Sequence, residues 1–457
     1  MPRAQSTGSD KGSLGNLCQD CRSSGAIDMP QAWQAFRSGS WLTHARARGY
    51  SLILLVIAAL SIVTWIALSN GLVDRNHKPI GTDFSSFYTA GALALEGKAS
   101  SAYDAATHHA AQQQLFGGDT PYYAWLYPPN FFLLAAPLAL LPYPLALLVW
   151  QGSTLALYLM VIAAILDRAP RERCIAARLW LPVAAAFPAV FINLGHGQNG
   201  FLSAALFGAA LLWQPHRPII AGLLFGALSY KPQLALVIPF ALLAAGQWRT
   251  MMAGAATAMA LAGASFVLFG HDAWSAFIAS TEMSRKILLE EGSVGFEKLQ
   301  SAFAAVRLWG GSIGQAYLAQ GAIAVVAISA TARAWYSDRD RDTKAALLLA
   351  ATTLASPHVL DYDLMLLAPA IAFFVASRSR SQFASYEVSL LAAIWTAPLV
   401  ARMAAGLVAV PVGFLANLVL FVVIIRAQSG TAASAHLRSD HVTSHRQAAV
   451  EAVQAKS

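Results

Sequence analysis

The chain has 457 residues, of which 57% are hydrophobic and only 12% charged, with a net charge of +8. Soluble domains carry about 25% charged residues, so the composition excludes an ordinary soluble domain and points to an all-α polytopic membrane protein. The basic residues stand in short clusters between apolar runs, which is the positive-inside pattern; they form no basic-aromatic stripe, so no nucleic-acid partner is expected.

Residues 1–48 read as a polar, Gly/Ser-containing cytoplasmic tail without stable structure. Its lone CxxC, Cys18 and Cys21, lacks the second pair that a zinc site needs. The first apolar run begins only near Tyr50, so no cleavable signal peptide is expected and the run stays as an anchor. Arg37, His44, Arg46 and Arg48 precede it and place the N-terminus in the cytoplasm.

Residues 71–129 are polar enough to lie outside the bilayer. TDFSSFYTAGALALEG reads as an amphipathic helix capped by Thr82 or Asp83 and ended by Gly97, with Phe84, Phe87, Tyr88, Gly91 and Leu95 on one face. Such a helix suits the membrane surface. A second short helix is expected over Ala102 to Phe116. From Phe131 to Leu166 a short helix and then one full span are expected, ending at the basic DRAPRERCIAAR loop with Arg168, Arg171, Arg173 and Arg178.

The remaining spans are expected near 179–194, 201–213, 219–230, 234–246, 251–269, 315–335, 345–355, 364–376, 388–399 and 405–425, for about twelve transmembrane helices in all. Several fall short of the roughly 20 residues of a straight crossing, which is tolerated where a segment borders protein or a wet cavity. The membrane domain thus covers 49–426, with extracytoplasmic loops 71–129 and 271–314, and 427–457 is a second disordered cytoplasmic tail. Alternation places the bland basic loops at His216, Gly246, Ser337 and Ser377 on the cytoplasmic side. It places GTDFSSFY, WLYPPN, LGHGQNG, SYKPQ, 271–314 and SPHVLDYD on the far side, which in a Gram-negative cell is the periplasm.

Chemistry-bearing residues gather in those far-side loops. Asp83 either caps its helix or, sheltered by Phe84, Phe87 and Tyr88, serves as a general base. Lys231 in SYKPQ either snorkels or presents a fixed positive charge that suits a lipid phosphate. In NLGHGQNGF, Gly195, Gly197 and Gly200 spell G-x-G-x-x-G, but no acidic residue follows before Asp272 and no βαβ pattern surrounds it, which argues against a dinucleotide site. The same turn, with His196, Gln198 and Asn199, either binds phosphate or sugar oxygens or simply joins two helices. In SPHVLDYD, His358, Asp361, Tyr362 and Asp363 share one face; the aspartates either cap the next span or bind sugar hydroxyls. Histidine spacing gives no metal motif, and there is no GxSxG elbow or Walker loop.

GTDFSSFYTAGALALEGKASSAYD, WLYPPNFFLLAAPLALLP, GHGQNGFLSAALF, AGLLFGALSYKPQLALVIPFALL and SPHVLDYDLMLLAPA together resemble glycosyltransferase family 87, from about Gly81 to Ala370. These are multi-pass enzymes of the GT-C class, including polyprenol-phosphate-mannose-dependent mannosyltransferases. The resemblance implies a GT-C-type helical bundle and an inverting transfer of a hexose, with mannose typical, from a polyprenyl-phosphate sugar to a lipid, glycan or protein hydroxyl. It implies an active site facing the periplasm, in the inner membrane. Asp83 takes the place of the catalytic base, and Lys231 and His358 that of the donor-phosphate ligands. Gln198, Asn199, Asp361 and Asp363 would shape the sugar or acceptor pocket, to which Tyr88 and His196 are added. No cofactor is expected, with a divalent metal left open. A transporter or flippase of lipid-linked sugars is the alternative, and a non-catalytic scaffold a third reading; the first would call for inverted repeats and mid-membrane charges, and the second for no dependence on Asp83 or Lys231.

Overall fold

The computed structural model describes residues 29–168 and 177–427. Cys18, Cys21, Arg171, Arg173 and the tail from residue 428 lie outside the described residues. Within them the regular secondary structure is helical, with isolated β-bridges besides.

Helix α1 (Met29–Ser38) falls inside the tail that was expected to be unstructured. It is held to the membrane body: Tyr386 N–H donates to the Arg37 carbonyl at 2.7 Å, and the Ser389 hydroxyl to the Phe36 carbonyl at 2.6 Å. Helix α2 (His44–Ala67) starts at the Thr43 cap and is apolar and exposed nearly all round, as a lipid-facing span is. Then come α3 (Thr82–Leu95) and α4 (Ala105–Phe116), the latter capped by Asp104. The expected short helix followed by a full span is α5 (Phe132–Ala139) and α6 (Tyr143–Leu166).

The region expected to hold one span at 179–194 is broken at Phe187 into α7 (Ala177–Ala185) and α8 (Pro188–His196). Helix α9 (Gly200–Trp213) follows, then α10 (Pro218–Ala227) and α11 (Ile238–Ala244), which are separated by two short 3-10 turns that flank Lys231. Helix α12 (Trp248–Ser284) is kinked at Gly270, where φ is 82° and ψ 169°. It continues well into the loop expected at 271–314, which also holds α13 (Ala302–Leu308). The described residues continue through α14 (Ile313–Tyr336), α15 (Arg341–Ala355), α16 (Leu367–Ser381), α17 (Glu387–Val408) and α18 (Val412–Ala427).

Among the described residues, six helices are long and apolar enough to cross a membrane, in the regions of α2, α6, α12, α14, α16 and α17. A 24-residue helix such as α6 rises about 36 Å, enough for a hydrocarbon core of about 30 Å. Of the roughly twelve expected crossings, those at 201–213, 219–230, 234–246 and 405–425 fall on shorter apolar helices, those at 179–194 and 345–355 on neither kind, and the shorter Pro129–Ala139 is the short helix expected before α6. The protein is thus an all-α polytopic membrane protein, as its composition required.

Helix α3 departs from its expected surface position. Phe84, Ser86, Phe87, Ala90, Gly91 and Leu93 are all buried, so burial extends around most of the helix. The reason is close packing: a Cβ at Gly91 would collide with the Ala135 carbonyl on α5. At the other end of the bundle, Arg380 reaches Asp340 at 2.8 Å and Asp342 at 2.6 Å, while Arg168 reaches Asp342 at 3.4 Å. This network ties the ends of α6, α15 and α16 together.

Candidate active site

Gly81, at φ 74°, turns the chain into α3 and leaves Asp83 in the first helical turn. No side-chain bond caps this helix, so Asp83 is not spent on capping. Its Oδ2 accepts a hydrogen bond of 2.9 Å from Gln198 Nε2. Gln198 is itself oriented: its Oε1 accepts from the Tyr127 hydroxyl at 3.2 Å and from Asn199 N–H at 3.0 Å. An amide oxygen with two donors has its NH₂ left for the carboxylate. His196 Nδ1 lies 2.8 Å from the Thr82 hydroxyl and 3.9 Å from Asp83 Oδ1. The Asp83 side chain keeps 27% of its surface exposed, so a substrate hydroxyl can reach it.

The glycine run between α8 and α9 explains this proximity. Gly197 adopts φ +67°, and a Cβ there would stand 2.5 Å from Phe84 Cβ; a Cβ at Gly200 would strike Asn193 and come within 2.8 Å of the Tyr362 carbonyl. Backbone approach on both sides therefore requires glycine. Asn193 fastens the turn, taking Gly200 N–H at 2.9 Å and donating to the Tyr362 carbonyl at 3.0 Å. The glycines do not form a dinucleotide cradle. They join the start of α3 to the Asp361–Asp363 segment.

Lys231 stands at the break between α10 and α11. It does not snorkel: its side chain is 4% exposed, and Nζ lies 2.6 Å from Asp363 Oδ1 and 4.9 Å from the centre of the Tyr362 ring. The other Asp363 oxygen accepts from Leu360 N–H at 3.1 Å. A buried pair of this kind holds because each ion compensates the other. The Lys231 charge, expected either to snorkel or to stand as a fixed charge suited to a lipid phosphate, is paired with Asp363. Asp361 Oδ1 accepts from Tyr362 N–H at 2.9 Å, and the Tyr362 and His196 rings are 6.3 Å apart.

Both groups line one cavity of about 880 Å³, which includes Asp83, His196, Gln198, Lys231, His358, Asp361 and Asp363. Tyr88 is not among the lining residues; its hydroxyl donates to the Leu141 carbonyl at 2.8 Å. Asn199 is also absent from the wall and is fully buried beneath the turn. Burial holds the His358 pKa below the ordinary histidine value, so this ring is neutral at pH 7 and offers one N–H.

Four further cations line the cavity: Lys78, Arg285, Lys298 and Arg402. With Lys231 they make five Lys/Arg against three Asp, so the wall carries a surplus of positive charge. Arg402 carried a signal in the sequence, as a lone charge between apolar segments. It belongs to a continuous α17 rather than to the loop expected between two spans. Lys298 is brought in by the 271–314 region, which is tied to the SPHVLDYD segment through Gln300 N–H on the Val359 carbonyl at 2.6 Å. Among the described residues, no group of three His, Cys, Asp or Glu side chains is placed to hold a metal ion.

The far-side loops read from the sequence thus converge on one cavity. No curated protein and no solved structure is significantly similar to the chain. A family model does match, over residues 125–357. That stretch is narrower than the resemblance from Gly81 to Ala370; it takes in Tyr127, Gln198 and Lys231, and it leaves Asp83 to be joined to them by the geometry above. The match covers just over half of the chain, and the protein belongs to glycosyltransferase family 87.

Proposed function

We propose that this glycosyltransferase moves a hexose, with mannose the family-typical sugar, from a polyprenyl-phosphate donor to an acceptor hydroxyl outside the cytoplasm. The acceptor is a lipid, glycan or protein. The observation that carries the reading is a partly exposed, amide-positioned carboxylate in the same cavity as a surplus of cations.

The Asp83 carboxylate takes the proton of the acceptor hydroxyl as that oxygen bonds to the anomeric carbon. The bond from the anomeric carbon to the phosphate oxygen breaks, and its electron pair leaves with the lipid phosphate. Attack opposite to departure inverts the anomeric centre. Positive charge developing on the sugar ring is flanked by carboxylates, and negative charge on the leaving phosphate by cations, which is electrostatic stabilisation at both ends. Gln198 positions Asp83. Lys231 and His358 serve the phosphate side, with Lys298 and Arg402 adding charge that no ion pair engages among the described residues. Asp361 shapes the sugar or acceptor side, and Asp363 holds Lys231 in the cavity wall beside it. Trp65, Phe277, Ile287 and Leu288 give the cavity an apolar wall that suits a prenyl chain.

The test is turnover by purified protein with a polyprenyl-phosphate hexose and a lipid extract as acceptor, read by mass spectrometry of the products. Asp83→Asn should stop transfer while the protein keeps its melting temperature. Full turnover in that variant would remove Asp83 from the mechanism.

A further inference from the structure

A second cavity, of about 820 Å³, lies between the end of α9, the α11–α12 turn and the α14–α15 turn. It is no branch of the first. Helix α9 runs from Gly200, beside the Asp83 cavity, to Trp213, next to Gln214 in the wall of the second. Helix α15 runs from Arg341 in the second cavity to Ala355, just before His358 in the first. Helices of 14 and 15 residues span roughly 20 Å, so the two cavities sit at opposite ends of the bundle.

Three cations, Arg339, Arg341 and Lys344, line the second cavity, with Asp338 the one carboxylate among its lining residues. Lys344 feels the attraction of Asp338 and, against it, the repulsion of Arg341 and Arg339. Two neighbouring acids are engaged mainly by other partners: Asp340, which also attracts Lys344, caps α15 and pairs with Arg380, and Asp342 pairs with Arg168 and Arg380. Lys344 is held against Trp335: its Nζ donates to the Trp335 carbonyl at 3.4 Å, and its backbone carbonyl accepts from Trp335 Nε1 at 3.1 Å. A surplus of positive charge around an open cavity favours an anion.

The setting indicates where that anion comes from. Trp248 begins α12 and Tyr336 ends α14, and both line the cavity with 57% and 82% of their surface exposed. Exposed aromatic rings at the ends of spanning helices mark the level of lipid headgroups. Below them, Met252 and Met259 on α12 and Val325 and Val326 on α14 expose apolar surface for acyl chains. We propose that this cavity is a phosphate site that takes the headgroup of an anionic phospholipid, independently of the transfer reaction.

Native mass spectrometry of the protein released from lipid nanodiscs tests this. Wild type should keep a phosphatidylglycerol adduct and release phosphatidylcholine. R341Q/K344Q should lower the adduct by about tenfold or more, as loss of charge-assisted bonds requires. R217Q/R249Q, which removes equal charge from exposed neighbours outside the cavity, should keep it. The charge-preserving pair R341K/K344R should also keep it, which separates lost charge from lost fold. An adduct unchanged in R341Q/K344Q, or lowered equally in R217Q/R249Q, overturns the site. A third arm adds inorganic phosphate in detergent. Thermal stabilisation by phosphate that is lost in R341Q/K344Q, without any retained lipid, would keep the phosphate chemistry and overturn the lipid as its source.

Discussion

Asp83 and Asp363 line the same cavity and do opposite things. Asp83 is 27% exposed and is held by the neutral amide of Gln198; Asp363 is 2% exposed and is locked to the Lys231 ammonium. A carboxylate held by an amide stays open to a new partner. One matched to a buried cation is committed to the architecture. The comparison teaches that exposure and the charge of the nearest partner, more than residue type, separate a candidate base from a structural acid.

The largest expected effect is catalytic. Asp83→Asn should lower turnover by as much as about 10⁴-fold, the upper range for a positioned acid or base, with little change in melting temperature. Asp363→Asn should do the reverse and lower stability first. The comparison breaks if the two variants behave alike in both measurements.

Lys231→Met should cost about 3–5 kcal/mol of stability, because Asp363 is left as an uncompensated buried charge. Denaturant or thermal unfolding in detergent checks this. The double replacement K231M/D363L should regain much of the loss, since removing both charges ends the mismatch. If the double variant is no more stable than the single one, the pair is not what holds Asp363.

Gln198→Leu sharpens the Asp83 side. It removes one hydrogen bond to a charged group, worth about 1.5–3 kcal/mol, so turnover should fall by about tenfold to a hundredfold. Because Gln198 positions the base without replacing it, kcat should fall while the KM for the donor stays nearly unchanged. A loss equal to that of Asp83→Asn would assign Gln198 a direct part in the reaction.

The smallest effect concerns the layer behind α3. His108 on α4 lies fully buried, with Nε2 3.3 Å from the Ser86 hydroxyl, and burial lowers its pKa from 6.5 to about 4. Between those values the unfolded chain binds a proton that the folded chain refuses, so stability falls as pH drops from 6.5 towards 4. At pH 5 the loss should be about 2 kcal/mol relative to neutral pH. His108→Gln should flatten that part of the stability–pH curve, and an unchanged curve would contradict the assignment to His108.

The helical class and the convergence of the polar loops were legible in the sequence, because apolar length and the position of basic loops follow directly from the cost of burying charge in lipid. The break at Lys231 was legible for the same reason: a cation interrupts two short apolar runs. Its partner was not, since Asp363 lies 132 positions away and only the folded chain brings them together. The roles of Gly197 and Gly200 were equally hidden. A glycine motif announces close approach, but here the approaching groups are Phe84 and Tyr362, which no local pattern names. Tyr88 shares the aromatic face with Phe84 in the sequence, yet it turns to the Leu141 carbonyl because α3 is packed against other helices instead of lying on a membrane surface. The two cavities repeat the theme, since each is built from helix ends far apart in the chain.

Asp83 and the cationic wall meet in one cavity, and we propose that it opens outside the cytoplasm. In a background with Cys18, Cys21 and Cys174 replaced by Ser, single variants Asp83→Cys and Lys298→Cys can be exposed in intact spheroplasts to a membrane-impermeant thiol reagent. Labelling of both from outside, with mutual protection by a polyprenyl-phosphate hexose, is the predicted result. Labelling of the two positions from opposite sides of the membrane would contradict it.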